Sequence, residues 1–206
     1  MLLSSAIVWS SMHAASMRPD DIDRMYLVGG DLETLKAFLV QKNNQRELNI
    51  DKLCVIGSGM GAVIALNWSA LDWSWPRLST GKQGQDVKAL VLVSPEWSVK
   101  GVTINRAISQ PQVRTEIDML IMVGNEKASA AREAKRLHKT LERYHGEPDE
   151  NAQNNDLFYL EVKTSLQGTK LLTSRSLKLD AAIAQFIEWR LVNQDFPWAE
   201  RKRFIE

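Results

Sequence analysis

The chain has 206 residues, with 26 Lys and Arg against 25 Asp and Glu, a formal net charge of +1 and 44% hydrophobic residues. That balance fits a globular domain with one sizeable core, and the lack of a basic stripe argues against nucleic acid as a partner. A single cysteine, Cys54, excludes an intramolecular disulfide and argues against a thiolate zinc site. The histidines His13, His138 and His145 are too scattered for a metal centre, and no apolar run is long enough to span a bilayer.

Residues 1–17 carry no Lys, Arg, Asp or Glu. Leu2-Leu3-Ser4-Ser5-Ala6-Ile7-Val8-Trp9 forms a weak apolar core, and His13-Ala14-Ala15-Ser16 is faintly like a signal-peptidase site. The positive n-region of a secretory signal is missing, so an ordinary start of a cytoplasmic domain is the expectation. Arg18-Pro19-Asp20-Asp21 predicts a helix start. Ile22, Met25, Tyr26, Leu32, Leu35, Phe38 and Leu39 keep helical spacing, with a break expected at Gly29-Gly30 and Asp31 as cap of the second half. Asn43-Asn44 and Glu47-Leu48-Asn49 predict a loop.

Leu53-Cys54-Val55-Ile56 then reads as a buried strand, Gly57-Ser58-Gly59-Met60-Gly61 as a sharp turn, and residues 63–71 as a buried helix. Residues 72–86 hold Pro76, Gly81 and Gly84 and predict a long loop, with Trp68, Trp73 and Trp75 packed beneath its start. Further strands are expected at 88–94, 119–124 and 157–162, and helices at 129–144 and 179–192. Ala130, Ala134, Leu137 and Leu141 give the first of these helices an apolar face. Ile183, Phe186, Ile187 and Leu191 do the same for the second. Residues 146–156 predict a polar loop, and a charged tail from Asn193 carries Phe196 and Trp198 as anchors.

Alternating strands and helices predict an α/β fold, a mostly parallel sheet with helices on both faces, in one domain over residues 1–206. Ligands of such sheets sit at the carboxyl ends of the strands. The turns at 57–61, 94–97, 124–128 and 164–168 are therefore expected along one edge.

The glycine-rich turn carries the chemistry. Backbone N–H groups at a helix start stabilise an anion or a developing oxyanion. Two patterns fit. In G-x-S-x-G the glycines are Gly57 and Gly61, which puts Gly59 in the nucleophile slot and the serine, Ser58, one residue early. In the dinucleotide fingerprint G-x-G-x-x-G/A the matches are Gly57, Gly59 and Ala62. That second pattern calls for an acid about 20 residues on, at a strand end. Asp72 and Asp86 fall in the long loop and Glu96 is too distant.

Over residues 20–190 the order of elements resembles the C-terminal part of an α/β-hydrolase. Val123-Gly124-Asn125-Glu126-Lys127 resembles that family's acid-bearing turn, and Ser165-Leu166-Gln167-Gly168 its base-bearing turn. The resemblance implies three triad slots, occupied here by Gly59 (nucleophile), Lys127 (acid) and Gln167 (base). Glycine cannot attack and glutamine cannot take a proton, so it implies a degenerate site without cofactor or metal. A pocket over Gly57, Ser58, Gly59, Met60 and Gly61 would remain for binding a small molecule or a protein. One alternative is a divergent esterase-like hydrolase using Ser58, with Glu96 or Glu126 as acid. The other is a domain binding NAD or FAD through Gly57, Gly59 and Ala62. The resemblance also implies missing N-terminal strands and a sheet edge open to pairing with a second chain.

Overall fold

The computed structural model describes residues 5–10, 21–79 and 81–201, with side chains from residue 30 onward. The apolar runs form the strands expected of them. In chain order the elements are β1 (Ser5–Ser10), α1 (Asp21–Asn44), β2 (Asn49–Ser58), α2 (Met60–Ser74) and β3 (Val87–Val93). A small hairpin comes next, β4 (Ser98–Val99) and β5 (Val102–Thr103), then the short helices α3 (Asn105–Ser109) and α4 (Pro111–Thr115). The chain continues with β6 (Asp118–Gly124), α5 (Ala128–Glu142), β7 (Leu157–Val162) and α6 (Gly168–Leu172). Last comes α7 (Leu179–Ile187), extended by a π-helical turn over Glu188–Val192.

The sheet has the order β1-β2-β3-β6-β7, and every neighbouring pair is parallel. This is the α/β class. One register row runs from Trp9 through Ile56, Val91 and Leu120 to Phe158. Because side chains alternate along a strand, the sheet builds two cores. Leu53, Val55, Leu90, Leu92, Met119 and Ile121 face α2, α3, α4 and α5. Cys54, Ile56, Val91, Leu120 and Met122 face the other way, toward Leu171, Leu179, Ile183, Phe186 and Leu191.

The uneven cover is a consequence of topology. The strand order is the chain order, so each crossover steps the same way. Right-handed crossovers in one direction deposit their helices on one face. The second face is left to the segment after β7. Arg190 fastens that segment to the sheet through Asp118, Nε to Oδ2 at 2.9 Å and Nη2 to Oδ1 at 3.2 Å. The tail beyond it is anchored as expected. Phe196 packs against the second core, and Trp198 Nε1 donates to the Asn43 carbonyl at 3.0 Å. Arg201 Nη2 reaches Asp86 Oδ2 at 2.8 Å.

Several local expectations are corrected. Helix α1 runs unbroken through Gly29-Gly30, so Asp31 starts nothing. A β-carbon on Gly30 would meet nothing within 4 Å, so that glycine costs only its propensity, about 1 kcal/mol. Asn43 and Asn44 close this helix and do not open a loop, and Asn43 Oδ1 accepts from Ile50 N at 3.1 Å. Helix α2 reaches Ser74, so Asp72 leaves the expected loop for the interior. There its carboxylate accepts from the N–H groups of Asp86 (2.7 Å) and Val87 (3.1 Å) and pairs with Lys36. Trp68 is buried and donates to Glu33, Trp73 donates to the Val87 carbonyl, and Trp75 is exposed. Of the ambiguous N-terminus, residues 5–10 form a strand; His13 and the signal-like residues lie outside the described residues. Among the described residues no helix is long and apolar enough to cross a membrane.

Burial pushes the Asp118 carboxyl from its ordinary 3.8 up to about 6, against the pull of Arg190. The folded protein therefore holds this proton more tightly than the unfolded chain. The stabilisation is complete below the unfolded value and is lost as pH rises through 6. In urea titrations, the stability of the natural protein relative to Asp118→Asn should fall by roughly 2–3 kcal/mol between acid and neutral pH.

Candidate functional site

Strand β2 enters helix α2 through Gly59, which has φ 55° and ψ −119°. That conformation suits glycine. The turn is closed by Gly59 N donating to the Val93 carbonyl (2.9 Å) and Ala62 N donating to the Gly59 carbonyl (3.0 Å). Gly57 is glycine for a different reason. A β-carbon there would lie 2.5 Å from the Gly61 oxygen and 2.7 Å from Ala62 Cα. At Gly59 the space is open, and the nearest atom to such a carbon is Glu96 Oε1 at 4.0 Å.

The four turns expected along one edge do meet. They surround a cleft of about 660 Å³ whose walls include Ser58, Gly59, Glu96, Lys127, Gln167 and Gly168. Gln167 is held at both ends of its amide: Oε1 accepts from Ser94 Oγ at 2.7 Å, and Nε2 donates to the Gly124 carbonyl at 2.6 Å. Ser94 Oγ in turn accepts from Gly168 N at 2.9 Å. This small network ties the ends of β3, β6 and β7 together. Lys127 sits at the position preceding α5. Glu126 is exposed; its N–H meets the Thr164 carbonyl at 3.2 Å, and it does not line the cleft.

Ser58 is 6% exposed and lines the cleft, and its hydroxyl makes no hydrogen bond among the described residues. Its Oγ lies 3.2 Å from where a β-carbon on Gly168 would be. Glu96 shares its wall with Glu133, whose Oε2 accepts from Trp97 N at 3.1 Å. Burial and then the Glu133 carboxylate raise the Glu96 carboxyl above its usual range, with Lys127 opposing. No described histidine reaches the cleft. His138 stacks on Tyr159 at 4.9 Å, and His145 Nδ1 lies 2.8 Å from Asp156 Oδ1.

Helices α2 and α5 both start at this cleft, without a side-chain cap and without an acid in the first turn. Their first N–H groups have no acceptor within the helix. Lys100 and Lys170 add two ammonium groups to the walls. Lys100, Lys170, Ser94 and Glu133 were not among the expected site residues. Glu133 had a readable signal: it neighbours Ala134 on the apolar face of α5, one turn from the carboxyl edge of the sheet. Ser94 had none, since its partners lie 73 and 74 residues away. No protein-family model matches the chain, and no curated protein matches it.

The two glycines of the turn should respond differently to a methyl group. Gly57→Ala forces backbone apart and should cost more than about 3 kcal/mol. Gly59→Ala meets only the unfavourable φ and should cost about 1–2 kcal/mol. Urea unfolding of both variants measures the difference.

Proposed function

We propose that this chain is a binding protein on an α/β-hydrolase-like sheet, with the nucleophile turn as the base of a small-molecule cleft and acyl transfer lost. The observation that carries the reading is Gln167. In the slot where a hydrolase needs a base, both ends of its amide are engaged by Ser94 and Gly124. Gly59 offers no nucleophile, and Lys127 cannot orient a base as a carboxylate would. The cleft itself is preserved, at the carboxyl edge where α/β sheets bind ligands.

A hydrolase using Ser58 is the second reading, favoured by one feature: Ser58 lines the cleft and its hydroxyl has no partner among the described residues. No histidine lines the cleft among the described residues, and Glu96 is the carboxylate nearest the turn available to it. A dinucleotide site has less support. Such sites use a reversal of strand order, and here the neighbours of β2 come in chain order. Among the described residues no strand pairs with the outer edge of β7, which leaves room for pairing with a second chain.

A fluorophosphonate probe with mass-spectrometric mapping tests the proposal on folded protein. The expected result is no adduct on Ser58, and no difference between the natural chain and Ser58→Ala. An adduct on Ser58 that disappears in the variant overturns the proposal and establishes a serine hydrolase. NAD and FAD should leave the melting temperature unchanged.

A further inference from the structure

At the opposite, amino edge of the sheet, the loop after α2 and the tail enclose a second pocket of about 450 Å³. Its walls include Arg77, Ser79, Lys82, Lys88, Glu200 and Arg201. The loop is pinned by reciprocal backbone bonds between Leu78 and Gly81, each 3.1 Å. Arg201 is held by its backbone: its N–H donates to Asn44 Oδ1 at 2.8 Å, and its carbonyl accepts from Asn44 Nδ2 at 2.7 Å. The side chain is 5% exposed, and Nη2 donates to Asp86 Oδ2 at 2.8 Å. Nη1 is buried and has no hydrogen-bond partner among the described residues. An unpaired buried donor on a charged group is costly. One arm of a rigid fork suited to oxyanions is thus left without an acceptor.

The surrounding charges leave a positive excess. Asp86 is shared by Lys36 (3.1 Å), Lys82 (3.0 Å) and Arg201 (2.8 Å), while Asp72 also pairs with Lys36 and Asp51 with Lys82. These carboxylates offset those cations. Arg77 and Lys88 line the same pocket and have no ion pair among the described residues. Lys88 Nζ lies 4.5 Å from the centre of the Trp73 ring. Burial and then Lys82 press its ammonium below the ordinary range, against Asp51, Asp86 and Asp72. Glu200 is the wall's opposing charge outside these pairs, and it is exposed. We propose that this pocket binds the phosphate group of a ligand, held by Arg77, Lys88 and the guanidinium of Arg201. A phosphate brings roughly −1.5 to −2 charges and three acceptor oxygens, enough to meet cations on separate walls, where a carboxylate brings one charge. The site is separate from the cleft and does not depend on how the cleft is read.

The test is a pair of amide-resolved NMR titrations of the full chain, with inorganic phosphate and with acetate, read at the Ser79, Gly81 and Glu200 amides. Phosphate should shift them with saturation, and acetate should bind about tenfold more weakly. Arg77→Gln and Lys88→Gln break no ion pair and should each weaken phosphate about tenfold. Glu200→Gln should tighten it severalfold. Lys135→Gln, on the exposed side of α5, should leave it unchanged. Vesicles of phosphatidylcholine, with and without phosphatidate, identify the source of the group. Binding that needs phosphatidate and is lost in Lys88→Gln assigns the phosphate to a lipid headgroup. Saturation by free phosphate without vesicle binding assigns it to a soluble molecule. The proposal is overturned if acetate binds as tightly as phosphate, or if Arg77→Gln and Lys88→Gln leave the affinity unchanged. Equal weakening by Lys135→Gln, which marks diffuse attraction to the surface, overturns it too. So does a failure of both free phosphate and phosphatidate vesicles to engage the pocket.

Discussion

The contact between Gly57 and the Gly61–Ala62 backbone sets the distance between the sheet and its innermost helix. Helix α2 is buried over most of its length, from Gly61 through Leu66 and on to Trp68, Ser69 and Ala70. A helix apolar on nearly every side has to lie against its sheet and be covered by others. It can do so here because Gly57 carries no side chain at the crossing. The same sharp turn leaves the first N–H groups of α2 without caps and aims them at the ends of the strands. Packing and site therefore have one origin: the glycines that seat the helix also create a cradle of backbone donors.

Much of this was legible in the sequence because the signals were local. The strand runs around Val55, Val91, Ile121 and Tyr159, the turn at Gly59 and the inward stripes of α5 and α7 depend on neighbours a few residues apart. The expected break at Gly29-Gly30 failed because propensity was outweighed. Long helices are held by tertiary contacts, and Leu32 and Lys36 dock α1 onto the body. The cleft's position could be foreseen, since four strand ends point to it. Its internal wiring could not. That Gln167 is bound to Ser94 and Gly124 depends on three loops meeting, and nothing near Gln167 in sequence announces it.

At the other end of the strands lies a second polar assembly. Lys36 joins Asp72 and Asp86, Lys82 joins Asp51 and Asp86, and Arg201 joins Asp86. Asp72 and Asp86 are fully buried. Ion pairs in such places barely recover their desolvation, and removing one partner strands the other. Their effect is on registry. The pairs tie helix α1, the end of α2, the start of β3 and the tail to one another. The sheet is thus fixed by ions at its amino edge and by the Ser94–Gln167 network at its carboxyl edge, with the apolar layers between.

Among the described residues, one face of the sheet is covered by the segment C-terminal to β7. On a ribosome this means that the cover which the described residues give Cys54, Val91, Leu120 and Met122 is complete only when Leu191 has cleared the exit tunnel. At about 5–20 residues per second the nascent sheet waits seconds with an apolar surface bare. The order of the strands, which makes the first core simple to assemble step by step, makes the second a single late event. Holdase chaperones acting during synthesis would meet this face, and a stalled or truncated chain would present it permanently.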